Sequence, residues 1–187
     1  GPQGAGKTTL AATAQDCLEM RDVLFLDCEG GLMSVASRGD LAFERVASVQ
    51  DLETVFWKIQ RREEEYVRFK TVVIDSLTEL QAISLENVAR EAIELERRRG
   101  GRVTRSLDEP HLKDYARSTN ELRRVLRWMK TLPVNLIVTA LAKNVYPPRK
   151  EGQPPVEDAA PVEVRPDLTE RLAVAVMGMV DFVWYLC

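Results

Sequence analysis

Two short apolar runs that each end in aspartate stand out along the chain: Asp22-Val-Leu-Phe-Leu-Asp27 and Lys70-Thr-Val-Val-Ile-Asp75. Their apolar character is continuous rather than alternating, which predicts strands covered on both faces. Val134-Asn-Leu-Ile-Val-Thr139 predicts a third such strand, Phe43 to Val49 a short one, and Val180 to Leu186 a final one. Helical periodicity fills the intervals, over Lys7 to Met20, Asp51 to Val67, Glu79 to Arg99, Pro110 to about Lys130, and Asp167 to about Val176. In the second of these, Leu52, Val55, Phe56 and Ile59 share one stripe, while Arg61, Arg62 and Glu63 to Glu65 face water. Pro110 suits a first helical turn. Gly30 and Gly31 break the first strand, and Gly100 to Glu109 reads as a loop. Lys143 to Pro166 holds six of the nine prolines and reads as one long loop. Strands alternating with helices predict an α/β fold with a mainly parallel central sheet flanked by helices. No internal repeat is visible.

Composition narrows the class. The 187 residues fit one domain spanning 1–187, and 45% hydrophobic with 29% charged residues supports a core without staples. The longest apolar run, Leu172 to Val180, is nine residues and too short for a bilayer, so no membrane partner is expected. Three cysteines, Cys17, Cys28 and Cys187, lack metal-like spacing and suit a reducing cytoplasm. Gly1 already stands inside a motif and Cys187 inside a strand-like pattern. The expectation is a core trimmed at both ends, its first strand preceding Gly1.

That motif is Gly1-Pro2-Gln3-Gly4-Ala5-Gly6-Lys7-Thr8-Thr9, a complete G-x-x-x-x-G-K-[ST]. Glycines let backbone N–H groups curl around a phosphate without Cβ clashes. All nine residues are nucleotide-binding candidates. Lys7 reaches the β- and γ-phosphates of ATP and also has a catalytic part, and the Thr8 hydroxyl is an Mg²⁺ ligand.

Asp75 ends its strand where such a site needs a carboxylate near the Mg²⁺, which it would hold through a water. No glutamate follows it directly, yet hydrolysis needs a group to orient or deprotonate the attacking water. Glu29, at the tip of the preceding strand, is the candidate, since parallel neighbours end on the same edge. The alternatives are an Asp75 that only caps the next helix and a Glu29 that is only a solvated loop residue.

Glu29 on the strand after the first helix, with the Asp75-Ser76 strand end, resembles the RecA-like P-loop ATPases. The similarity is to phage-encoded nucleotide-binding proteins that include single-strand annealing recombinases. It rests also on Asp27-x-Glu29, Val72 to Ser76, Asp114-Tyr115-Ala116, Leu136 to Ala140, Arg165 to Leu168, and Val180-Asp181-x-Val183. The resemblance implies a RecA-like P-loop NTPase core, catalysis through Glu29, Lys7 and Asp75, ATP and Mg²⁺ as ligands, and a homo-oligomeric ring or filament. It implies a neighbouring subunit's cation at the phosphate, for which Arg149, Lys150 and Arg165 are candidates, and a host-cell cytoplasmic location. One departure is visible. Where RecA ends its third strand with a polar amide, Ala140, Leu141 and Ala142 follow Thr139, leaving Thr139, Lys143 or Asn144 as sensor of the γ-phosphate.

The net charge of −3 hides an uneven distribution. Residues 97–130 carry 11 basic against 4 acidic residues, and the rest of the chain 15 against 25. Arg97, Arg98, Arg99, Arg102 and Arg105 fall within nine residues, a pattern suited to phosphate oxygens of single-stranded DNA. By resemblance this segment and Lys143 to Val164 sit where RecA-like proteins bind DNA, which adds Lys143, Tyr146, Arg149 and Lys150. A solvated charged surface is the alternative. Trp57, Trp128 and Trp184 read as core or interface, and His111 as a first-turn surface residue.

The leading expectation is an Mg-ATP-hydrolysing recombination ATPase that binds single-stranded DNA and promotes annealing or strand pairing, with a single-strand-binding protein as a further partner. The alternatives are an ATP-bound annealing module with little turnover, and a nucleotide-switched assembly protein that does not bind DNA.

Overall fold

The computed structural model describes residues 1–30, 35, 37–100, 103, 106–146 and 161–187. Strands β1 (Val23–Asp27), β2 (Ala42–Arg45), β3 (Thr71–Asp75) and β4 (Asn135–Val138) form one parallel sheet in the order β2-β1-β3-β4. The helices are α1 (Lys7–Ala12), α2 (Val49–Gln60), α3 (Leu77–Arg98), α4 (Leu112–Met129) and α5 (Glu170–Met177).

Both faces of the sheet are apolar, which is why β1 and β3 read as unbroken hydrophobic runs. Leu24, Leu26, Val72 and Ile74 point into the larger core with Leu52, Leu80, Leu122 and Leu172 of the helices. Val23, Phe25 and Val73 point the other way, into a smaller core with Ala11, Ala12, Ala14 and Val35. β1 and β3 are in register, so Asp27 and Asp75 finish side by side at the same edge.

Several elements differ from the sequence pattern. The helix expected to Met20 ends at Ala12 and tightens into a 3₁₀ turn over Thr13–Asp16. The Thr13 hydroxyl bonds the Leu10 carbonyl at 2.7 Å, and such back-bonding competes with the helical ladder. β2 stops at Arg45 because Ser48 already caps α2, accepting from the Asp51 N–H at 3.1 Å. α2 ends at Gln60 rather than Val67, and Arg62 takes a left-handed φ of 55°. Tyr66 and Phe69 then turn back onto the core.

The proline-rich stretch hides a hairpin. β5 (Ala142–Val145) pairs antiparallel with β6 (Glu163–Pro166), the Ala142 N–H having already bonded the Gly1 carbonyl at 3.0 Å. Val180 to Leu186 is not a strand. It runs past β4 across a cleft of 880 Å³ lined by Leu136, Val138, Val183 and Tyr185. Apolar content alone does not make a strand; a backbone partner is needed. Trp184 is accordingly 74% exposed rather than core, Trp57 is 45% exposed, and Trp128 packs against the main core as expected.

Candidate functional site

The sheet edge where β1, β3 and β4 end carries the polar residues of the site. The loop Gly1–Gly6 lies over it and runs directly into α1. Gly4 and Gly6 have φ of 77° and 79°, left-handed values that a side chain would strain. The Leu10 N–H donates to the Gly6 carbonyl at 2.8 Å and closes the first helical turn. The Lys7 ammonium arches back over the loop and donates to the Gly1 and Pro2 carbonyls, at 3.2 and 2.7 Å. Gln3, Gly4 and Gly6 are exposed, so the rim of the loop faces solvent.

Asp75, 6% exposed, is held at both carboxylate oxygens. Thr8 Oγ1 donates to Oδ2 at 2.6 Å, and Thr139 Oγ1, just past the end of β4, donates to Oδ1. The loop, the second strand-end aspartate and the β4 end are thus joined through one carboxylate. A hydroxyl and a carboxylate 2.6 Å apart are hard oxygen donors, the set that fits Mg²⁺.

Glu29 lies two residues past the end of β1 and is exposed. Its Oε1 accepts from the Ser76 hydroxyl at 2.5 Å, which ties it to the residue after Asp75. The Asp75 carbonyl accepts from the Cys28 N–H at 2.8 Å, so the β1–β3 ladder continues to the base of Glu29. Cys28, between Asp27 and Glu29, is buried. Burial first, then the charges of Asp27 and Asp75, push its thiol up to about 12.

The structure therefore brings Lys7, Thr8, Asp75 and Glu29 to one edge. Ser76 and Arg45 join this edge without a motif signal of their own. Ser76 was visible only as the residue after a strand-end aspartate, and Arg45 only as a charge near a short strand. Their partners follow from the strand register.

The basic residues are placed more loosely. Arg97 and Arg98 close α3 and Arg99 caps it, all exposed, with Arg98 paired to Glu94 at 3.0 Å. Lys143 lies on β5 and Tyr146, 54% exposed, follows it. Arg102, Arg105, Arg149 and Lys150 lie outside the described residues. On α4, Arg117 pairs with Glu91 and Glu121, and Arg124 with Glu53. Arg165 pairs with Glu163. His111 is the N-cap of α4, its N–H donating to Asp114 Oδ2 at 2.9 Å.

A parallel sheet with a glycine-rich phosphate loop over its carboxyl edge defines a P-loop ATPase-like domain. The sequence profile of the AAA domain matches residues 1–187, and the chain belongs to that family. No curated protein matches it. Among the described residues, no helix is long and apolar enough to cross a membrane.

Proposed function

We propose that the chain is an Mg-ATP-hydrolysing ATPase of the RecA-like recombination kind, acting on single-stranded DNA to promote annealing or strand pairing. The observation that carries the ATPase reading is the convergence of Thr8, Asp75 and Glu29 at one sheet edge beneath the glycine loop.

In this reading the backbone N–H groups of residues 4–8 and the Lys7 ammonium hold the β- and γ-phosphates. Thr8 and Asp75 hold Mg²⁺, which when bound neutralises charge on the phosphate oxygens. Thr139 fixes the Asp75 carboxylate, and Ser76 fixes that of Glu29. Glu29 orients a water whose oxygen attacks the γ-phosphorus. The bond from that phosphorus to the β–γ bridging oxygen breaks, ADP leaves with the bond's electrons, and Glu29 takes the water's proton.

The DNA part rests on charge. Arg97, Arg98 and Arg99 present a cationic helix end, with Arg98 also paired to Glu94, and the sequence that follows adds Arg102 and Arg105. The β5–β6 pair starts from a hydrogen bond to Gly1, which ties Lys143 on β5, with Tyr146 just after it, to the phosphate loop; Arg149 and Lys150 enter on sequence alone. A ring or filament of copies, a single-strand-binding protein as helper, and a cytoplasmic setting complete the proposal.

The test is ATP turnover with and without Mg²⁺ and single-stranded DNA. Turnover that requires Mg²⁺, rises with DNA and vanishes in Lys7→Ala is the expected result. Reversing the charges of Arg97, Arg98, Arg99, Arg102 and Arg105 should weaken DNA retention and flatten its salt dependence. Unchanged retention at low salt would remove the DNA assignment and leave the ATPase one standing.

A further inference from the structure

We infer that Asp27 and Arg45 are positioning residues for Glu29, an inference that rests on Glu29 as the water-orienting group. Asp27 closes β1 with its side chain 13% exposed. One carboxylate oxygen, Oδ1, accepts two N–H groups in succession: Glu29 at 3.1 Å and Gly30 at 2.7 Å. The other, Oδ2, faces Nη1 of Arg45 at 3.3 Å. Arg45 is its register partner across the β1–β2 ladder, so the pair is set by strand alignment and not by a chance side-chain encounter.

Arg45 does more than balance charge. A Cβ built on Gly30 would lie 2.7 Å from Arg45 Nη1, so the guanidinium packs against the Gly30 backbone and would have to shift for a side chain there. Gly30 also has φ of 74°, a value that favours glycine. The turn carrying Glu29 is thereby closed from two sides. Asp27, itself paired to Arg45, holds its backbone, and Ser76 holds its carboxylate at 2.5 Å. The Cys28 N–H, bound to the Asp75 carbonyl, pins the residue between. Arg45 also offsets the Asp27 charge at an edge that already carries Glu29 and Asp75.

These contacts fix where the Glu29 carboxylate sits, and misplacing such a group by about 1 Å costs rate while leaving nucleotide binding in place. In the full chain, Asp27→Ala should lower kcat for Mg-ATP by about tenfold or more, with the ATP Kd within about twofold of wild type. Asp27→Asn keeps an oxygen acceptor for the two N–H groups and should recover most of the loss. Arg45→Ala, at a half-exposed side chain, should give a smaller fall in kcat and serves if Asp27→Ala does not fold. The decisive readout is coupling: in single turnover, Asp27→Ala added to Glu29→Gln should cost nothing further.

An additional loss in that double variant, a rise in ATP Kd matching the fall in kcat, or wild-type kcat in Asp27→Ala with Glu29→Gln inactive would overturn the inference alone. Wild-type turnover in Glu29→Gln would overturn the reading of Glu29 itself, and this inference with it.

Discussion

The Thr8 hydroxyl donates to Asp75 Oδ2 at 2.6 Å across 67 residues of sequence, while Thr139 holds the opposite oxygen of the same carboxylate. Asp75 is thereby fixed between the phosphate loop and the end of β4, and its orientation depends on both threonines. Thr139→Val removes one donor without touching the loop. The Mg²⁺ concentration for half-maximal turnover should rise about tenfold, the usual effect of losing such support behind a metal ligand. A magnesium titration of turnover checks this, and an unshifted midpoint would separate Thr139 from the site.

Stability should follow burial rather than hydrophobicity alone. Leu122 is fully buried on α4 in the larger core, whereas Leu112 at the start of the same helix is 87% exposed. Leu122→Ala should cost about 3 kcal/mol through lost transfer energy and a residual cavity. Leu112→Ala should stay within about 0.5 kcal/mol. Urea unfolding at a constant m-value measures both.

Cysteine reactivity offers a check on the β1–β3 edge. Cys17 and Cys187 are exposed, while Cys28 is buried with its thiol pushed up to about 12. The folded state therefore favours the neutral thiol. Stability from this group is intact below the ordinary thiol pKa and is lost as pH rises through it towards 12. At pH 8, an alkylating reagent should modify Cys17 and Cys187 and spare Cys28 until the protein is unfolded. Mass spectrometry of native and urea-treated samples resolves the three sites.

Much of the fold was legible because buried parallel strands carry an unmistakable pattern. Val23 to Asp27 and Thr71 to Asp75 are apolar on both faces and end on the same polar edge. The loop from Gly1 to Thr9 was legible as a motif, and the left-handed φ of Gly4 and Gly6 agrees with its need for glycine. The β5–β6 hairpin was not, because its short arms lie in a proline-rich stretch that hides their pairing. Val180 to Leu186 misled for the opposite reason: it has the apolar content of a strand, but strands are made by neighbours. The support around Glu29 was also out of reach. That Arg45 meets Asp27 follows from the β1–β2 register, and that Ser76 meets Glu29 follows from the β1–β3 register. Neither can be read from spacing along one chain.

In the proposed mechanism Glu29 acts on the attacking water while Lys7, Thr8 and Asp75 hold Mg-ATP. Glu29→Gln keeps the shape and an acceptor for Ser76 but loses the base. The most direct measurement is its Mg-ATP affinity and turnover beside wild type. Retained affinity with turnover reduced by about a hundredfold or more is the predicted result. Turnover near wild type would contradict it.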